Sequence, residues 1–110
     1  MAITAKQLLK MQSTLCDMEL SVLYQQEKVE EFISKLETEK EMYQEKIDAL
    51  YEKDNITDSQ QDKLDKYEEI TDEIETFIEN LQNVVDAIGE TKDNLSNTTS
   101  SIEAILQSLS

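Results

Sequence analysis

The side chains best suited to chemistry in this 110-residue chain are carboxylates, and they crowd one stretch: Glu68, Glu69, Asp72, Glu73, Glu75 and Glu79. Three chemistries could use such a cluster. A di-iron bundle needs Glu-x-x-His pairs beside its other glutamates, and the chain has no His. A calcium loop needs oxygen ligands at its first, third and fifth positions and Gly at its sixth; a loop beginning at Asp54 places Ile56 third and Ser59 sixth, so it fails. A carboxylate pair for acid–base work needs a concave pocket to hold substrate. The nucleophiles fare no better. Cys16 lies in Leu15-Cys16-Asp17-Met18-Glu19, where acids and no cation could tune its thiol. The Ser/Thr run at residues 98–101 has neither His nor Lys within it to activate a hydroxyl. A single glycine, Gly89, cannot build a phosphate-cradling loop. No catalytic residue, metal site or cofactor is expected, and the chain reads as a non-enzyme. The acids read as solvated helix faces.

Composition narrows the class further. Ten Lys stand against 25 Asp and Glu, for a net charge of -15. The excess repels nucleic-acid phosphates and anionic lipid, so direct nucleic-acid binding is not expected. Lys6 and Lys10 interrupt the start, leaving no apolar core for a cleaved signal peptide. No stretch reaches the roughly 18 apolar residues of a membrane span, so no membrane insertion is expected. The chain reads as cytoplasmic, with any exit by a route that needs no cleaved signal. One Cys forbids an intrachain disulfide, and the absence of Pro with one Gly argues against a turn-rich β fold.

The elements that must position these residues are written as heptads. One apolar series runs Leu8, Leu15, Val22, Val29, Leu36, Tyr43, Leu50; a second runs Tyr67, Ile74, Leu81, Ile88, Leu95, Ile102, Leu109. Most members have an apolar companion three or four residues on, among them Met11, Met18, Phe32, Ile33 and Ile47, then Ile70, Phe77, Ile78, Val84, Val85, Ile105 and Leu106. This is the pattern of long helices packed at a shallow crossing. Thr4 with Gln7, and Thr57 with Gln60, have the spacing of reciprocal N-terminal caps, and Ile3 with Leu8 has that of a hydrophobic staple. The segment 54–59, Asp-Asn-Ile-Thr-Asp-Ser, is turn-forming. A helix is predicted over about 5–53, a turn over about 54–58, and a second helix over about 58–109. Gly89 either ends that helix as a C-terminal cap or sits within it, and the unbroken heptad phase from Ile88 to Leu95 favours a continuous or slightly bent helix; the Ser/Thr/Asn-rich residues 90–101 are expected to fray locally. Only two acid–Lys pairs at four-residue spacing, Glu31–Lys35 and Asp62–Lys66, stand out as helix support.

The turn divides the chain into equal arms. Folded antiparallel, positions whose numbers total 110 face one another: Leu15 and Leu95, Val29 and Leu81, Tyr43 and Tyr67. The expected fold is all-α, a single antiparallel two-helix hairpin with a heptad seam. A lone hairpin has a small core, so pairing into a four-helix bundle is also expected.

Apolar residues exceed what one partner helix covers where the two termini meet. Leu8, Leu9, Met11, Leu15, Met18, Leu20 and Leu23 do not fit one stripe, and Ile102, Ile105, Leu106 and Leu109 crowd the other terminus. These eleven residues are the expected partner-binding set. The partner would be a helical client protein or a second copy of the chain.

Two equal helices, a central turn, about a hundred residues and a partner-demanding face resemble the small WxG-type helical hairpins of the type VII secretion system. The resemblance is closer still to the helical proteins that escort LxG-domain toxins there. The turn reads Lys53-Asp54-Asn55-Ile56-Thr57-Asp58 in place of Trp-x-Gly, and no aromatic is followed four residues later by an acid as in the family's export pattern: Tyr67 precedes Thr71 and Phe77 precedes Leu81. The resemblance therefore implies an escort or adaptor, or a co-secreted partner, more than a directly exported substrate. Two other functions are open on the residues alone, an acidic mimic of nucleic acid and a coiled-coil spacer.

Overall fold

The computed structural model describes residues 3–110. It contains two helices, α1 (Ala5–Tyr51, 47 residues) and α2 (Asp58–Leu109, 52 residues), and no strand among the described residues. The helices pack antiparallel as a hairpin, the all-α architecture expected from the heptads.

Both helix starts are closed by reciprocal caps. The Thr4 amide donates to Gln7 Oε1 at 2.9 Å while the Gln7 amide donates to Thr4 Oγ1 at 3.2 Å. Thr57 and Gln60 repeat the arrangement at 3.0 and 3.1 Å. Each box satisfies two donors that the first helical turn would otherwise leave without partners. Ile3 stays exposed while Leu8 is buried. α1 ends at Tyr51, two residues short of the expected Lys53, as the bonding tightens from Glu52 N–H to the Asp48 carbonyl, at 3.1 Å, to Lys53 N–H on the Leu50 carbonyl, at 3.3 Å.

α2 is continuous through Gly89 and through residues 90–101, where fraying was expected. No residue described has a positive φ, so Gly89 does not act as a left-handed cap. The hydroxyls that weaken helix propensity there are turned back onto their own helix. Thr91 donates to the Ala87 carbonyl, Thr98 to Asn94 and Ser101 to Asn97, at 2.8–3.1 Å. A hydroxyl occupied this way no longer competes for the backbone in a non-helical form.

Contacts cluster into two compact units. The turn unit is Val29–Val84; the terminal unit is Met1–Lys28 with Val85–Ser110. In the turn unit the inward residues of α1 alternate by four and three: Val29, Ile33, Leu36, Lys40, Tyr43, Ile47 and Leu50. Leu64, Tyr67, Thr71, Ile74, Ile78 and Leu81 do so on α2. Ile47 and Leu64 are the best-buried pair in this unit, at 4% exposure each. In the terminal unit the same alternation places Leu8, Gln12, Leu15, Glu19, Val22 and Gln26 opposite Ile88, Lys92, Leu95, Thr99, Ile102 and Leu106.

Most seam-lining companions of the heptad series therefore lie four residues on; Ile70, three residues after Tyr67, is the half-buried exception. Ile33, Ile47, Ile78, Val85 and Leu106 line the seam, while Met11, Met18, Phe32, Phe77, Val84 and Ile105 are exposed. Apolar side chains are more numerous at the three-residue positions than at the four-residue ones, so composition does not select the choice the structure makes.

The register also departs from the simple facing rule. Tyr43 and Tyr67 meet as expected, with ring centroids 5.6 Å apart. Other cross-helix partners have larger totals. Gln12–Glu103 and Lys40–Glu75 total 115, Glu19–Thr99 118 and Tyr51–Glu68 119. The sign has a geometric cause. Each side chain leans toward its own helix N-terminus, so in an antiparallel pair both partners come from positions C-terminal to the level at which they meet.

Candidate interaction surface

Seven of the eleven expected partner-binding residues are exposed: Leu9, Met11, Met18, Leu20, Leu23, Ile105 and Leu109. Leu20 is the most open, at 67%. Leu15 and Leu106 are half-buried. Leu8 and Ile102 are corrections to the expected set. At 3% and 7% exposure they are taken up by the hairpin's own seam, and only an edge of Ile102 reaches a surface groove.

The exposed residues of the terminal unit fall on two flanks. Leu9, Cys16 and Leu23 follow the seam position by one residue, with Leu20 beside them, and Cys16, Glu19, Leu20, Leu23 and Lys92 share one shallow groove. Met11 and Met18 precede the next seam position by one and lie on the other flank. There Met11, Leu15, Thr98 and Ile102 line a second groove, edged by Gln7 and Lys10. Cys16 is exposed and free.

The arrangement inverts the usual economy of a helical seam. Gln12, Glu19, Gln26, Lys92 and Thr99 occupy inward positions while leucines and methionines face out. Three of these side chains bond to one another or to the chain nearby: Gln12 Nε2 donates to Glu103 Oε2 at 3.0 Å, and Thr99 donates to the Leu95 carbonyl at 3.0 Å and lies 3.4 Å from Glu19 Oε1. Among the described residues no buried side-chain polar atom lacks a hydrogen bond.

The turn unit also has two unlike flanks. One groove is lined by Phe32, Lys35, Leu36 and Phe77. The other is lined by Glu37, Lys40, Glu41, Gln44, Glu75 and Glu79 around Ile78, with Lys40 Nζ paired to Glu75 at 2.6 Å. At the seam between them Lys46 Nζ stands 5.3 Å from the Tyr43 ring centre and 5.6 Å from that of Tyr67, within cation–π range of both. Tyr51 donates its hydroxyl to Glu68 at 2.5 Å, and that bond, with the Glu68 charge, raises the Tyr51 pKa. Among the described residues no cluster of acids or sulfur could hold a metal ion, and no helix is long and apolar enough to cross a membrane.

Phe32, Phe77 and Met42 are exposed side chains that sequence reasoning left out of the interaction surface. The signal was present: Phe32 and Phe77 are the three-residue companions of Val29 and Ile74, and only the phase of the seam decides whether they point in or out. No family model, curated protein or solved structure matches the chain.

Proposed function

We propose that this chain is a non-enzymatic helical interaction protein, an escort or adaptor for a helical client of a type VII secretion system. The client would dock on the terminal unit. One observation carries the reading: Leu9, Leu20 and Leu23 are exposed beside a seam whose inward positions include Gln12, Glu19 and Gln26. A helix that spends seam positions on polar residues and displays leucines gains most by covering those leucines with another apolar surface. The architecture-level likeness to LxG-toxin escorts supplies the class of client.

The test compares two double variants in pull-down with an LxG-toxin domain, with helicity followed by circular dichroism. Leu20→Glu with Leu23→Glu places charges on the proposed client face and should abolish capture while leaving the helices formed, because burying an unpaired carboxylate costs several kcal/mol. Glu69→Gln with Glu73→Gln should leave capture nearly intact, since exposed charges contribute about 0–1 kcal/mol. Capture that survives the leucine changes and fails with the glutamate changes overturns the reading in favour of an acidic mimic.

A further inference from the structure

The turn unit carries a second unpartnered face whose charge differs from the rest of the chain. Phe32 and Phe77 are exposed, at 50% and 52%, and they share one groove with Lys35 and Leu36. Met42 and Val84 are exposed at heptad positions on the same flank. The charged residues of that flank are Lys35, Lys46, Lys63 and Lys66 with Glu39 and Glu73. The opposite flank of the same unit carries Glu30, Glu37, Glu41, Glu68, Glu75 and Glu79 among its acids, and the one lysine in its groove, Lys40, is paired to Glu75. A molecule with a net charge of -15 is thus close to neutral, and slightly positive, on the one face of this unit that displays aromatic rings.

We infer that two copies of the chain associate through this Phe32–Phe77 flank of the turn unit, separately from the client face of the terminal unit. Charge selects the occupant. Copies of so acidic a chain repel wherever their acidic flanks approach, and this flank is where they can meet without that cost. A basic partner would be drawn to the opposite, acid-rich flank instead. The face is also self-complementary in charge. Under a twofold axis each contact is made twice, and lysines of one copy can stand against Glu39 or Glu73 of the other. Two aromatic anchors in one groove, with Met42 and Val84 exposed on the same flank, match the composition of interface centres.

Sedimentation velocity on the full chain tests this. The expected result is a dimer for the unaltered chain and for Leu20→Glu/Leu23→Glu. Phe32→Glu/Phe77→Glu should weaken association by about thirtyfold or more with unchanged helicity. Should the phenylalanine variant lose helicity, Met42→Glu/Val84→Glu on the same flank reads the same contact. Added sodium chloride should tighten the dimer by screening the outward acids. A monomer at every concentration, a dimer that survives both flank variants, or dimer loss confined to the leucine variant overturns the inference. Because the leucine variant reports client capture and the phenylalanine variant reports self-association, the two proposals fail independently.

Discussion

Tyr51 shows how far a single exposed contact reaches. Its hydroxyl is held by the Glu68 carboxylate across the hairpin, at the last residue of α1. The hydrogen bond comes first among the causes of its raised pKa, followed by the repulsion that a tyrosinate would feel from Glu68 and then by desolvation and Asp65. A folded-state pKa above the unfolded value of about 10 means that the contact favours the folded state at lower pH. That contribution fades as pH climbs through the folded pKa. Replacing Glu68 with Gln should lower the Tyr51 pKa. An ultraviolet titration of the phenols checks it, with Tyr51→Phe identifying which transition belongs to Tyr51. An unmoved transition in the Gln variant would detach the shift from this contact.

At the scale of the helices, the phase of the seam separates residues that look alike in the sequence. Ile47 and Met18 are both apolar companions in the heptad series, yet Ile47 is buried and Met18 exposed. Ile47→Ala should cost about 2–4 kcal/mol by leaving a cavity beside the turn. Met18→Ala should stay within about 0.5 kcal/mol, as substitutions at exposed sites usually do. Urea denaturation of the two variants measures the difference, and equal costs would mean that the seam runs through the three-residue companions instead. The helices, the turn and both reciprocal caps were legible because each rests on local spacing: Thr4 to Gln7, Thr57 to Gln60, one apolar residue every seven. The choice of Ile33 over Phe32, or Ile78 over Phe77, was not. It depends on how two helices meet, and adjacent apolar residues at three and four positions leave that rotation open. The continuity of α2 through residues 90–101 was hidden for a related reason, since propensity does not say whether a Thr hydroxyl will bond back to its own helix.

For the molecule as a whole, charge is the term that solution conditions reach most easily. Residues 1–55 carry a net -5 and residues 56–110 a net -10. Long-range repulsion among these acids opposes folding, and salt screens it over about 8–10 Å at physiological ionic strength. The thermal midpoint should therefore rise as sodium chloride is added from low ionic strength, with the steepest gain at the start. A midpoint that falls over the same range would mean that attractive pairs such as Lys40–Glu75 outweigh the repulsion.

The repetition of the seam has a consequence for how the chain keeps its alignment. At the heptad positions Leu15, Val22 and Val29 of α1, and Leu81, Ile88 and Leu95 of α2, a slip of seven residues would again set an aliphatic side chain against an aliphatic side chain. Those positions cannot tell one frame from the next. The information lies in the residues that break the repeat, the tilted Tyr43–Tyr67 pair and the inward Gln12, Glu19 and Lys92, and in the short connection between Tyr51 and Asp58. The loop that looks like a passive joint is thus a ruler. It forbids the seven-residue slip that two untethered helices of the same sequence would be free to make.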